Sequence, residues 1–178
     1  MKVSMDKKYI NINDNANEII SAIGKGVFLT TKAGDKVNSM AIEWGTTGYL
    51  WGKPVFICYV RESRFTREQL DKNPEFTVCM PVGSFDKRIM AVCGSKSGRD
   101  MDKIGELGLT LVDGEKVSVP AIKELPMTIE CKLIYRQPQD MSLLPDDIKS
   151  RFYSPKYGLD KDEHITYIGE IVCSYILS

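Results

Sequence analysis

Apolar positions in this chain recur mostly in short runs, several alternating with polar ones, and glycine, proline and charged turns break them. Such runs read as β-strands. "GVFLTTKA" (26–33) and "VNSMAIEWG" (37–45) form two strands around the turn "AGDK". "GYLWGKPVFICYV" (48–60) supplies two more strand pieces, with the break expected from Gly52 to Pro54. "PEFTVCMPV" (74–82), "TIECKLIYRQPQD" (128–140) and "HITYIGEIVCSYIL" (164–177) follow, the last alternating over Ile165–Ile171.

Four stretches read as short helices. "NANEIISAIG" (15–24) follows Asp14 as N-cap and stops at Gly24 as C-cap. "SRFTREQLDKN" (63–73), "SFDKRIMAVCG" (84–94) and "SGRDMDKIGELG" (97–108) come later, the last halted by its glycines. These helices interrupt the strands irregularly, without the steady βαβ alternation of a doubly wound parallel sheet. The expected architecture is mainly β with short helices, an antiparallel barrel or sandwich. At 178 residues it is expected to be one domain, 1–178, within the usual span of about 100–200 residues.

Composition narrows the function classes. Twenty-four basic residues balance 24 acidic ones, so no global field favours nucleic acid or an anionic membrane. No apolar run reaches the roughly 20 residues that span a bilayer, and "MKVSMDKKYININ" lacks the apolar core of a signal peptide. The expected address is the cytoplasm. Five cysteines are spread without a C-x-x-C pair, in apolar settings such as "FICYV". They read as free, buried thiols, and with a single histidine they do not suggest a metal site.

Three segments carry candidate chemistry. In "VRESRFTREQ" (60–69), Arg61, Arg64 and Arg67 lie with the hydroxyls of Ser63 and Thr66 in seven residues. Thr66 and Gln69 have capping-box spacing, so a helix starting there would add its unpaired amides and positive dipole end, a setting suited to phosphate. The competing reading is a solvated helix start whose arginines pair with Glu62 and Glu68. "CGSKSGRDMDK" (93–103) places Ser97 and Asp100 at capping-box spacing behind glycines that admit close backbone approach, with Lys103 two turns in. An ordinary turn is the alternative. In "KVNSMAIEWG" (36–45), the amide of Asn38 and the ring of Trp44 suit a planar heterocycle, or else mark a strand entry followed by a core tryptophan. The chain has no Walker A motif, no G-x-S-x-G elbow and no dinucleotide fingerprint.

In this order, "NSMAIEWG", "KPVFICYVRESRFTREQLDKNPEFTVCMP", "CGSKSGRDMDK" and "HITYIGEIV" resemble the flavin reductase-like family, in its flavoredoxin-type branch. The resemblance implies an FMN-binding, antiparallel Greek-key split β-barrel, normally a homodimer. Carried over by position, it implies that Asn38 and Trp44 contact or flank the isoalloxazine ring, with Ser39 and Met40 contributing backbone. It implies that Arg61, Ser63, Arg64 and Thr66 hold the FMN phosphate, and that Ser97 and Lys103 close over phosphate and ribityl chain. His164, before "YIGEI", reaches the flavin or acceptor on this reading and is structural on the other. Residues 137–161 match the family pattern least. These residues bind the cofactor rather than react. The expected activity is electron transfer from NAD(P)H through FMN to an acceptor. Two rivals stand beside it: a flavoredoxin-type carrier serving a redox partner protein, and a flavin-less barrel that binds another small ligand.

Overall fold

The computed structural model describes residues 5–154 and 162–178. Its strands are β1 (Lys7–Tyr9), β2 (Val27–Ala33), β3 (Lys36–Ile42), β4 (Gly45–Leu50), β5 (Lys53–Arg61), β6 (Glu75–Met80), β7 (Leu111–Val112), β8 (Ala121–Ile122), β9 (Met127–Pro138) and β10 (His164–Leu177). The helices are α1 (Ala16–Ile23), α2 (Phe65–Lys72), α3 (Lys87–Ser95), α4 (Lys103–Leu107) and α5 (Asp146–Phe152), with a 3-10 turn at Met141–Leu143. One sheet runs β3-β2-β6-β9-β10-β5-β4, with β1 added to β10, and its strand pairs are antiparallel. This is the split barrel that the family resemblance implied, and it falls within the antiparallel barrel or sandwich read from the strand pattern.

The split has a simple cause. The two end strands of the sheet, β3 and β4, are consecutive in the chain with just Glu43 and Trp44 between them. The chain therefore crosses from one sheet edge to the other there without the edges pairing. Phe56, Phe76, Leu29, Ile129 and Tyr167, all fully buried, fill the barrel between the strands. A second cluster around Phe28, Ile89, Cys93 and Leu125 seats α3 and the segment after it on the outside of β2 and β6.

The seven long strands match the sequence closely, the short β1, β7 and β8 and helix α5 were not anticipated, and the turns and caps differ. The β4–β5 hairpin turns at Trp51 and Gly52, with φ 52° and 72°, the paired positive φ of a two-residue hairpin. Pro54 therefore lies inside β5, opposite Tyr49, rather than in the break. The N-cap position of α1 is Asn15, not Asp14, and its side chain makes no capping hydrogen bond. No capping box forms at either expected place. Arg64 is the N-cap residue of α2, while Thr66 and Gln69 turn inward, the latter accepting from Thr31 Oγ1 at 2.5 Å and donating to Lys36 O at 2.8 Å. Ser97 caps a turn, accepting from Arg99 N at 3.2 Å, and the helix there begins only at Lys103, with Asp102 as its cap. In each case a buried polar partner, or a preceding turn, outcompeted the local cap. Cys58, Cys79, Cys93 and Cys131 are buried and Cys173 half-buried, all as free thiols. Among the described residues no helix is long and apolar enough to cross a membrane, and no cluster of three or more His, Cys, Asp or Glu could hold a metal.

Candidate functional site

Two cavities, of about 240 and 420 Å³, lie side by side beneath β3 and share Met40, Ala41, Arg64 and Gly94 as walls. The first is enclosed by Asn38 of β3, the Ser63–Thr66 start of α2, the 96–99 turn and Lys103 of α4. The second is enclosed by Glu43 and Trp44 at the split, Tyr59 and Arg61 of β5, Met90 of α3 and His164 of β10.

The first cavity is short of partners in a specific way. Lys103 is 3% exposed, yet its ammonium makes a single long hydrogen bond, to Lys96 O at 3.3 Å. Burial pushes its pKa down, as expected for an ammonium without a counter-charge. Asn38 Nδ2 donates to Thr66 Oγ1 at 3.2 Å, but Asn38 Oδ1, on a side chain 3% exposed, accepts from nothing. The Arg64 guanidinium lines both cavities and makes no hydrogen bond or ion pair among the described residues. Phe65 and Thr66 open α2 and line the cavity, and first-turn amides have no intrahelical acceptor. Three donor sources and one orphaned acceptor thus converge on one space. An anion that also carries hydroxyl groups would satisfy all of them.

Arg61 and Ser63 are already engaged. Arg61 donates to Asp162 O at 2.8 Å and Phe152 O at 2.9 Å, and the amide and hydroxyl of Ser63 both donate to the Asp162 carboxylate, at 2.9 and 2.7 Å. The solvated pairing with Glu62 and Glu68 takes a different form. Arg67 binds Asp71 and Glu62 O, and Glu68 binds Arg99. Arg99, which the sequence reading did not single out, also donates to Ser63 O at 2.9 Å. It ties the 96–99 turn to the start of α2 across the first cavity.

In the second cavity His164 is 6% exposed and packs on the Trp44 ring at 4.9 Å between centroids. Its Nδ1 lies 2.8 Å from the Tyr153 hydroxyl, which donates to Gln139 Oε1 at 2.9 Å. The tyrosine oxygen therefore accepts from Nδ1–H, and Nε2 keeps its lone pair. Burial, with Arg61 next, drives the histidine pKa down to about 4, so the ring is neutral at pH 7.

Asn38, Met40, Ser63, Arg64, Thr66, Ser97 and Lys103 thus line the first cavity, and Met40, Trp44, Arg61, Arg64 and His164 the second. Ser39 lines neither; its hydroxyl is buried in the sheet and accepts from Thr30 Oγ1 at 3.0 Å. Phe65, Cys93, Tyr59 and Met90 line the cavities without having been anticipated. Their apolar character gave no signal apart from core.

Residues 20–175 match the model of a known family, the flavin reductase like domain. An uncharacterised protein of Archaeoglobus fulgidus is 29% identical over 107 residues, 60% of this chain and 59% of that protein. The match thus spans less than two thirds of that relative. Among solved structures, the flavoredoxin of Desulfovibrio vulgaris (Miyazaki F) is similar at 25% identity and TM-score 0.64, over 85% of this chain and 68% of that one. The FMN-binding domain of a flavin reductases-like enzyme from Shewanella baltica OS155 shares the fold at 15% identity and TM-score 0.67, over 98% of this chain and 78% of that one.

Proposed function

The chain belongs to the flavin reductase like family, and from that premise we propose that it is an FMN-binding oxidoreductase that passes electrons from reduced nicotinamide to an acceptor. The first cavity carries this reading. A phosphate answers the buried Lys103 ammonium, the free Arg64 guanidinium and the amides opening α2. The hydroxyls of a ribityl chain answer the orphaned Asn38 Oδ1. In the adjoining cavity Trp44 and Met40 would flank the ring, with His164 Nε2 as an acceptor and Arg64 as a donor. When bound, FMN supplies the hydride and single-electron chemistry.

In this arrangement the chain's own groups bind and orient. Lys103 holds its proton against desolvation because the ligand's anion restores the missing counter-charge. The Asp162 carboxylate occupies both donors of Ser63, and the Asp162 and Phe152 carbonyls fix Arg61, so Arg61 shapes the wall of the second cavity more than it reaches the phosphate. Assembly as a homodimer and residence in the cytoplasm, the latter suited to five free thiols, belong to the same proposal. Similarity to a flavoredoxin at 25% identity favours a second reading, in which the chain carries electrons for a redox partner and does not itself turn over NAD(P)H.

The visible spectrum of the purified protein, followed by anaerobic NADH or NADPH, tests these readings. A flavin band at about 450 nm establishes the cofactor. Bleaching on NAD(P)H supports the reductase, and bleaching only with a partner protein supports the carrier. No band after incubation with FMN rejects both. Arg64→Ala and Lys103→Met should each weaken FMN by roughly one to two decades, the loss of one charge-assisted contact, with little change in the melting curve. Flavin-fluorescence titration measures this, and wild-type affinity in both variants would remove the phosphate assignment.

A further inference from the structure

A third cavity, of about 540 Å³, lies on the far side of Met90 from the proposed flavin site. It sits between the C-terminal half of α1, the loop that follows β6 and the start of α3. Met80, Met90, Met127 and Phe85 form much of its wall, and Val82 stands on its rim 49% exposed. Methionine walls adapt to aromatic ligands through flexible, polarisable thioethers. Two cations, Lys25 and Lys87, and one carboxylate, Glu18, edge the cavity. Lys87 lies over the Phe85 ring at 4.8 Å, while the Lys25 ammonium makes no hydrogen bond or ion pair among the described residues. The apolar body with a cationic rim is complementary to an aromatic acid.

Met90 is the one side chain common to this cavity and the second. Gly26, at φ 98°, is pressed against it: a Cβ there would come within 2.8 Å of Met90 Cε. Met90 therefore stands between the two spaces, packed closely on Gly26, with Glu43 of the second cavity beside it: the same Cβ would lie 3.8 Å from Glu43 Cγ.

We propose that the cavity bounded by Met80, Met90, Met127 and Phe85 is a second ligand site, taking a small aromatic anion, a carboxylate or sulfonate, one side chain away from the ring of the flavin. Its occupancy is a property of this chain by itself. Its use as the seat of an electron acceptor rests on the FMN reading above.

The test is ¹³C-methyl-methionine NMR of the full chain titrated with naphthalene-2-sulfonate, and with neutral 2-naphthylmethanol as control. Met80 and Met127 line this cavity alone among the three, whereas Met40 lines the other two. The methyls of Met80 and Met127 should shift and saturate with the sulfonate while Met40 stays still. The alcohol should bind more weakly. The Lys25→Glu/Lys87→Glu double variant should bind the sulfonate at least about tenfold more weakly, through lost charge-assisted contact. Both lysines are exposed, so the fold should be kept. Unmoved Met80 and Met127, or equal binding of acid and alcohol, would overturn the proposal. Shifts that track protein concentration without ligand would overturn it in favour of a contact between copies. FMN titration of the same samples by flavin fluorescence keeps a failure here separate from a failure of the cofactor reading.

Discussion

His164 shows how far a residue's role depends on its neighbours. A histidine in water has a pKa near 6.5. Here burial between Trp44 and Tyr153, with Arg61 close by, brings it to about 4. Between these values the unfolded chain takes up a proton that the folded chain refuses. Stability is therefore full above about pH 6.5 and is lost as pH falls toward 4, by about 3 kcal/mol from this one group. Urea unfolding at pH 7 and pH 4 should show wild type losing about that much more than His164→Gln; parallel losses in the two proteins would reject the assignment. At this scale the sequence was partly legible. Asn38 announced itself as a polar side chain in a strand-like run, Arg64 and Thr66 by their crowding at a helix start, and Lys103 by its place behind a glycine-rich turn. Ser39 had the same signature as Asn38, yet its hydroxyl faces Thr30 inside the sheet. One-residue alternation decides that face, and sequence does not mark which face a cavity will occupy.

Among the elements, the turn 96–101 matters more than the helix it precedes. Gly98 approaches β3 and α2 so closely that a Cβ would stand 2.2 Å from Asn38 Oδ1 and 2.8 Å from Phe65 Cδ1. Gly98→Ala should push the turn off the first cavity and pull the Asn38 amide from its place. The expected result is an FMN affinity reduced about tenfold or more, with an overpacking cost of at most about 1–3 kcal/mol in stability, because the buried Gly98 lies between the exposed Lys96 and Arg99 and the turn can yield. Thermal melting and flavin titration on one sample distinguish the two effects; unchanged FMN affinity would mean that the close approach serves packing. The strands were legible because alternation over six to nine residues outweighs any single position. Helix starts were not. Each capping box read from Thr66 or Ser97 competes with tertiary hydrogen bonds, and Gln69 found better partners in Thr31 and Lys36.

On the scale of the molecule, β10 organises the barrel by pairing with β1, β5 and β9. Its register against β9 shifts between Ile168 and Gly169. There Gly169 lets Phe76 cross the interior: a Cβ would fall 2.5 Å from Phe76 Cζ and 2.8 Å from Cys131 Cβ. Gly169→Val should destabilise the fold by about 1–3 kcal/mol or more, since Phe76 and Cys131 are fully buried and have nowhere to move. Denaturant unfolding measures it, and a loss within about 0.5 kcal/mol, the range of surface substitutions, would show that the core there is loose.

The sequence by itself determined the seven long strands, the antiparallel β class and the cationic character of one corner. These follow from local periodicity and from residue types within ten positions of each other. The tertiary structure decided which of three arginines stays free. Arg61 is taken by Asp162 and Phe152, more than 90 positions away, and Arg67 by Asp71, leaving Arg64 facing both cavities. It also decided that Lys103 is buried without a counter-ion and that Asn38 keeps an unpaired oxygen. Those are energies of long-range neighbours and of water excluded from a cavity, and neither is written in the local order of the residues.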